Sequence, residues 1–174
     1  MSPPQHQDTR PVTLITGAAR GIGYAIAEKM LAQGHLLALN DIDRQVLDRT
    51  IKTLQAPDAA IIAIDGDVSQ PDQVEAMLAK TLAHFSRIDN LVNNAGIGGT
   101  GKFILELSLE EWNQMLQIDL TSTFLLCKAA LPAMISQGRG RIVNIASITA
   151  MMGVAGSTHY AAAKAHRKLL RSHT

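Results

Sequence analysis

Apolar positions along the chain alternate between short aliphatic runs and longer segments of helical period. Residues 12–16 form an apolar run ending in a glycine-rich turn, which predicts a buried first strand. Residues 21–33 place Ile22, Ile26, Met30 and Leu31 on one helical face, with Gly34 as the stop. Residues 36–40, 60–64, 88–92 and 141–145 read as four more strands. Helical segments fall between them at 43–54, at 71–85 with Pro71 in the first turn, and at 108–137, where Ser108 and Glu111 make a capping box. Ala56-Pro57-Asp58 breaks the second helix, and a last helix begins at Thr158. Strands alternating with helices predict an α/β, Rossmann-type doubly wound parallel sheet. Right-handed crossovers leave few topologies, of which the expected one is strand order 3-2-1-4-5.

Composition fits this class. Of the 174 residues 47% are apolar and only 3% aromatic, so the core is built from Ala, Leu, Ile, Val and Met. That palette suits strands covered by helices on both faces. A net charge of +1 with interspersed signs gives no field for nucleic acid or a membrane surface. The single cysteine, Cys127, cannot form an internal disulfide, which points to a reducing, cytoplasmic setting. No apolar run reaches bilayer-spanning length, and the polar residues 1–10 read as a disordered lead-in to one domain over 11–174. No metal site is expected.

The turn Thr16-Gly17-Ala18-Ala19-Arg20-Gly21-Ile22-Gly23 joins the first strand to the first helix. Glycines there let backbone approach a pyrophosphate, while the helix N-terminus offers free N–H groups. A ligand-free turn is the alternative. Asp41, at the end of the second strand, can accept hydrogen bonds from ribose hydroxyls; its alternative is capping the next helix. Together the turn and the acid predict dinucleotide binding, with NAD expected over NADP because a carboxylate repels a 2′-phosphate. Arg20 is the counterweight, since a base there would favour NADP.

The Thr16–Gly23 turn resembles the T-G-x-x-x-G-x-G signature of the short-chain dehydrogenase/reductase superfamily. Asn93-Asn94-Ala95-Gly96 resembles its N-N-A-G motif, and Tyr160-Ala161-Ala162-Ala163-Lys164 its Y-x-x-x-K. Ser147 precedes Tyr160 by the thirteen residues usual for the family's catalytic serine. Asp67-Val68 resembles the acidic-Val pair beside the adenine. The likeness runs from Val12 to about Ala165, nearest to the 3-oxoacyl-carrier-protein reductase and polyol dehydrogenase type. It implies a catalytic set of Ser147, Tyr160 and Lys164, with Asp119 in support. The implied cofactor residues are Thr16, Gly17, Arg20, Gly21, Ile22, Gly23, Asp41, Asp67, Val68, Asn93, Ala95, Gly96, Tyr160 and Lys164.

The chemistry of these residues agrees. Moving a hydride to or from a carbonyl needs a proton donor or acceptor at the carbonyl oxygen. A free tyrosine is a poor base at neutral pH, but Lys164 lies one helical turn on, where an ammonium favours the phenolate. Ser147 can orient the same oxygen. His159 points to another helix face, and Trp112, Cys127 and the methionines read as packing residues.

Two departures stand out. The family's supporting asparagine, which kinks the long helix and serves a water chain to the lysine, is Asp119 here, in Ile118-Asp119-Leu120. Its carboxylate would hold the lysine ammonium and compete with the phenolate for it. Family members also continue through two more strands and a substrate loop, whereas residues 165–174 turn basic, leaving a thin stripe of Ala162, Ala165 and Leu169. The expectation is a truncated or out-of-frame tail, an open fifth strand prone to association, poor activity and a doubtful family-like homo-oligomer. The expected function is NAD(P)-dependent oxidation of a small secondary alcohol or reduction of a ketone. The alternatives are a dinucleotide-binding module without turnover and a fragment without a stable fold.

Overall fold

The protein is described by a computed structural model over residues 9–57 and 60–169. Most of the expected lead-in, Asp58 of the predicted break, the Leu169 side chain and residues 170–174 lie outside what it describes. The elements are β1 (Val12–Thr16), α1 (Gly21–Ala32), β2 (Leu36–Asp41), α2 (Arg44–Leu54), β3 (Ile61–Asp65), α3 (Pro71–Phe85) and β4 (Asn90–Asn93). They continue with α4 (Leu109–Leu116), α5 (Ser122–Ser136), β5 (Arg141–Asn144) and α6 (Thr158–Leu169). A π turn over Gln117–Thr121 joins α4 to α5, and a short 3₁₀ turn over Ile148–Ala150 follows β5.

All strand pairs are parallel, in the expected order β3-β2-β1-β4-β5. The sheet separates two apolar layers. Leu37 and Leu39 pack with Ala27 of α1 and Leu47 of α2 on one face. Leu14, Ala38, Ile64 and Leu91 pack with Met77 of α3 and Leu126 and Met134 of α5 on the other. The order reverses between β1 and β4, so the crevice at their C-terminal ends is where a doubly wound sheet binds ligands.

Helix ends follow local rules. Gly34, at φ +81°, takes the left-handed position after α1, with its N–H on Leu31 O and that of His35 on Met30 O. Ser108 and Glu111 form the expected capping box at α4. β3 and β4 begin one and two residues later than the apolar runs suggest, because pairing rather than hydrophobicity sets strand ends. On α1, Ile26, Met30 and Leu31 pack on the core as expected, but Ile22 is corrected: it is 61% exposed, and Gly23 and Ala27 are the fully buried positions, because the helix starts close against the glycine turn.

The expected single helix over 108–137 is interrupted by the π turn centred on Asp119. By length and composition Leu109–Ser136 could cross a membrane. Here its inward face packs on α3 and β4 and buries Asp119, Ser122 and Thr123, which is the behaviour of a core helix. Of the methionines, Met77, Met115 and Met134 are core residues, while Met151 and Met152 are exposed, contrary to the packing role expected for them. Both sit in the segment between β5 and α6, where no element covers them among the described residues.

Candidate active site

The β1–α1 turn is shaped for an anion. Gly17 and Gly21 have φ of +62° and +57°, conformations that disfavour any residue with a Cβ. A Cβ on Gly23 would stand 2.2 Å from Gly17 O, so helix and turn touch backbone to backbone. Arg20 occupies the N-cap without a side-chain cap, and the first turn of α1 holds no acid. Its N–H groups and positive dipole end therefore stay open to a phosphate. These features fit a dinucleotide pyrophosphate.

Asp41 lies beneath this turn and is almost buried. Its Oδ2 accepts from Ala19 N at 3.0 Å and its Oδ1 from Asp43 N at 3.2 Å. The capping role weighed for Asp41 belongs to Asp43, which accepts from Val46 N. Asp41 thus ties the glycine turn to β2 and keeps lone pairs for a ribose hydroxyl. Beyond β3, Asp67 accepts from Ser69 N, and Val68 is buried in the apolar layer with Ile64 and Met77.

The loop after β4 joins the two halves of the site. Asn94 Nδ2 donates to Thr16 O and Gly17 O, and Thr16 Oγ1 accepts from the amides of Asn94 and Ala95. Thr16 is therefore a brace between β1 and β4. Asn93 is fully buried, donating to Asn144 Oδ1 at 2.8 Å. Downstream, Ile97 N donates to Asp119 Oδ1 at 2.7 Å. A Cβ on Gly96 would lie 2.7 Å from Asp119 Oδ2 and 2.9 Å from Lys164 Nζ, so only glycine passes there.

Lys164 comes to this loop from α6. Its Nζ is 2.8 Å from Asp119 Oδ2 and 5.5 Å from the centroid of the Tyr160 ring. Burial, and then the nearby Arg167 charge, push the lysine below its ordinary pKa, against the pull of Asp119. Ser147 begins the 3₁₀ turn packed against α6; its Oγ accepts from Thr149 N and Thr149 Oγ1. Tyr160 is half-buried beside Gly99, whose Cβ would lie 3.5 Å from the tyrosine Cβ. Part of the predicted set is thus gathered around one loop: the glycine turn, tied to Asp41, on one side, and Asp119, Tyr160 and Lys164 on the other. His159 is buried, with neither ring nitrogen hydrogen-bonded among the described residues.

Sequence reasoning missed Arg167, taken as part of a basic tail. It is 1% exposed, and its Nη1 donates to Ala95 O at 2.8 Å. Spacing held the signal: 160, 164 and 167 share a helix face. Asn144 was missed as well; its Nδ2 donates to Arg167 O, linking β5 to α6.

The sequence model of the short chain dehydrogenase family matches residues 11–172. Over 158 residues the chain is 40% identical to a 3-oxoacyl-[acyl-carrier-protein] reductase of Synechocystis, covering 90% of this chain and 64% of that protein. Levodione reductase of Leifsonia aquatica is 36% identical over 165 residues, covering 94% and 62%. A levodione reductase crystal structure superposes with a TM-score of 0.88 at 36% identity, covering 92% of this chain and 63% of that one. A short-chain dehydrogenase from Streptomyces avermitilis gives 0.87 at 32%, covering 94% and 58%. The chain spans somewhat under two thirds of the length of these relatives. With the motifs in order, the sheet in the same topology and nearly the whole chain matched, this protein belongs to the short-chain dehydrogenase family.

Proposed function

We propose that this chain carries the cofactor-binding and catalytic residues of an NAD(H)-dependent oxidoreductase acting on a small secondary alcohol or ketone. The carrying observation is the loop at residues 93–97, which holds the glycine turn through Asn94 and meets Asp119, Lys164 and Arg167 through its next three residues. A dinucleotide bound at the α1 N-terminus and along this loop would have Lys164 and Tyr160 of α6 available to hold its nicotinamide end. The nicotinamide, when bound, supplies or takes the hydride.

The protein's own groups serve the proton and the geometry. Tyr160 Oη would give a proton to a carbonyl oxygen or take one from an alcohol. Ser147 Oγ–H would hydrogen-bond the same oxygen and fix its direction. Lys164 would hold the nicotinamide ribose and favour the phenolate of Tyr160. Asp41 would accept from the adenosine ribose hydroxyls and repel a 2′-phosphate, and the open N–H groups of α1 would bind the pyrophosphate. The names of the relatives, reductases of acyl and dione substrates, support a carbonyl substrate.

Titration with NADH and NADPH, followed by turnover on a panel of secondary alcohols and ketones, tests this reading. NADH is expected to bind more tightly, and Asp41→Ala to narrow the gap. Equal or tighter binding of NADPH would sink the NAD assignment. The Lys164–Asp119 ion pair favours a second reading, a dinucleotide-binding unit without turnover, because a paired ammonium is less available to the phenol. Tight NADH binding with no turnover across the panel would select it.

A further inference from the structure

Three charged side chains are buried together behind the loop at residues 93–97. Asp119 is 0% exposed, Lys164 5% and Arg167 1%. Each fixes part of the loop. Asp119 accepts from Ile97 N, Arg167 donates to Ala95 O, and the backbone of Gly96 lies against Asp119 and Lys164. Packing alone does not explain the arginine. Its Nε is buried with no hydrogen-bond partner among the described residues, so an aliphatic side chain would fill the space without an unsatisfied donor.

Charge supplies the reason. One carboxylate and two cations sum to +1, the charge Lys164 would have beside a neutral residue at 119. Asp119 stabilises the Lys164 ammonium and Arg167 opposes it. The groups around the lysine are Asp119 from the π turn and Arg167 and Tyr160 from its own helix, with Cys127 of α5 facing Arg167. We propose that Arg167 is a positioning residue that offsets the buried Asp119 carboxylate, leaving Lys164 in the field of an ammonium beside an uncharged neighbour. Asp119 and Arg167 thus act as a compensating pair, and Lys164, though in contact with Asp119, keeps the net field with which to serve a bound dinucleotide and Tyr160. Only that last consequence rests on the proposed function.

The test is NMR titration of Lys164 in ¹³C-lysine-labelled protein without nucleotide, the resonance being assigned by its loss in Lys164→Arg. Arg167→Leu should move the titration to higher pH, Asp119→Asn to lower pH, and Asp119→Asn/Arg167→Leu should return it toward the parent. Arg167→Lys, which keeps the charge, should titrate like the parent. Thermal unfolding of Arg167→Leu should occur at or above the parental midpoint. NADH affinity should fall about tenfold in Arg167→Leu, the worth of one hydrogen bond to a charged group, and recover in the double variant. An unmoved Lys164 titration in Arg167→Leu would overturn the proposal, and with a lowered midpoint would make Arg167 a packing residue. A double variant displaced further than either single change would overturn it too. If Asp119→Asn does not fold, the order of parent, Arg167→Leu and Arg167→Lys still decides. Failure of the parent to bind NADH would refute the proposed function alone, since the titration is read without nucleotide.

Discussion

At the scale of single residues, the site depends on a few atoms whose surroundings differ sharply. Tyr160 is half-buried with its ring beside an ammonium, while Lys164 and Asp119 are enclosed. On the proposed function, Tyr160→Phe removes the group that would transfer the proton and little else. Turnover, where the parent shows it, should fall by about 10² to 10⁴ while NADH affinity is preserved. Near-parental turnover in this variant would show that another group moves the proton. Lys164→Ala should lower both turnover and NADH affinity, and it breaks the buried ion pair with Asp119, leaving that carboxylate only the Ile97 N–H and the Arg167 charge. Its unfolding midpoint should therefore drop as well, by an amount corresponding to about 3–5 kcal/mol. A variant as stable as the parent would show that the Lys164–Asp119 ion pair adds nothing to stability.

At the scale of elements, turns and caps do the placing. Gly23 lets α1 start against the glycine turn, and a methyl there would overlap Gly17 O. Gly23→Ala should displace the start of α1 and weaken NADH binding more than it alters helix content, comparing fluorescence titration with circular dichroism. At α4, Ser108→Ala removes the capping box and should cost about 1 kcal/mol in denaturant unfolding. Lys102, with the Ser108 cap, holds Glu111 down at about 2, well below its ordinary carboxylate value. A depressed folded pKa contributes stability above the unfolded value, which is lost as pH falls from about 4.5 toward about 2. The difference between parent and Lys102→Ala should shrink across that window. A difference unchanged at acid pH would mean that the pair adds nothing to stability.

For the whole molecule, β5 is the edge of the sheet among the described residues, and Val143 on it is 48% exposed. Phe124 and Ile135 on α5 are exposed too. An open strand edge with apolar neighbours recruits another chain through unpaired backbone groups. The protein should elute above its monomer size in size-exclusion chromatography, and Val143→Lys should shift it toward monomer. A monodisperse monomer from the parent would show that this edge is protected in solution.

The sequence by itself determined the strands, most of the helices, the strand order and the positions of the motifs, but not the π turn that divides the helix over 108–137. Strand runs such as Val12–Thr16, stop signals such as Gly34 and the capping box at Ser108 are local, so hydrophobic period and backbone chemistry reveal them without a fold. Topology followed because parallel strands joined by helices admit few right-handed arrangements. Tertiary structure decided how the charges are enclosed. The family resemblance implied that Asp119 meets Lys164, but the two are far apart in sequence, and the π turn and the approach of α6 are what bring them to 2.8 Å and bury them. Arg167 reads as one more base in a polar tail until α6 docks and buries it against Ala95 O. Asp41 looks like a ribose acceptor, yet it also proves to be the anchor of the glycine turn. Local signals fix where backbone can turn and where apolar surface must hide. The partner of a buried charge is set by contacts between distant segments, which exist only after the chain has folded.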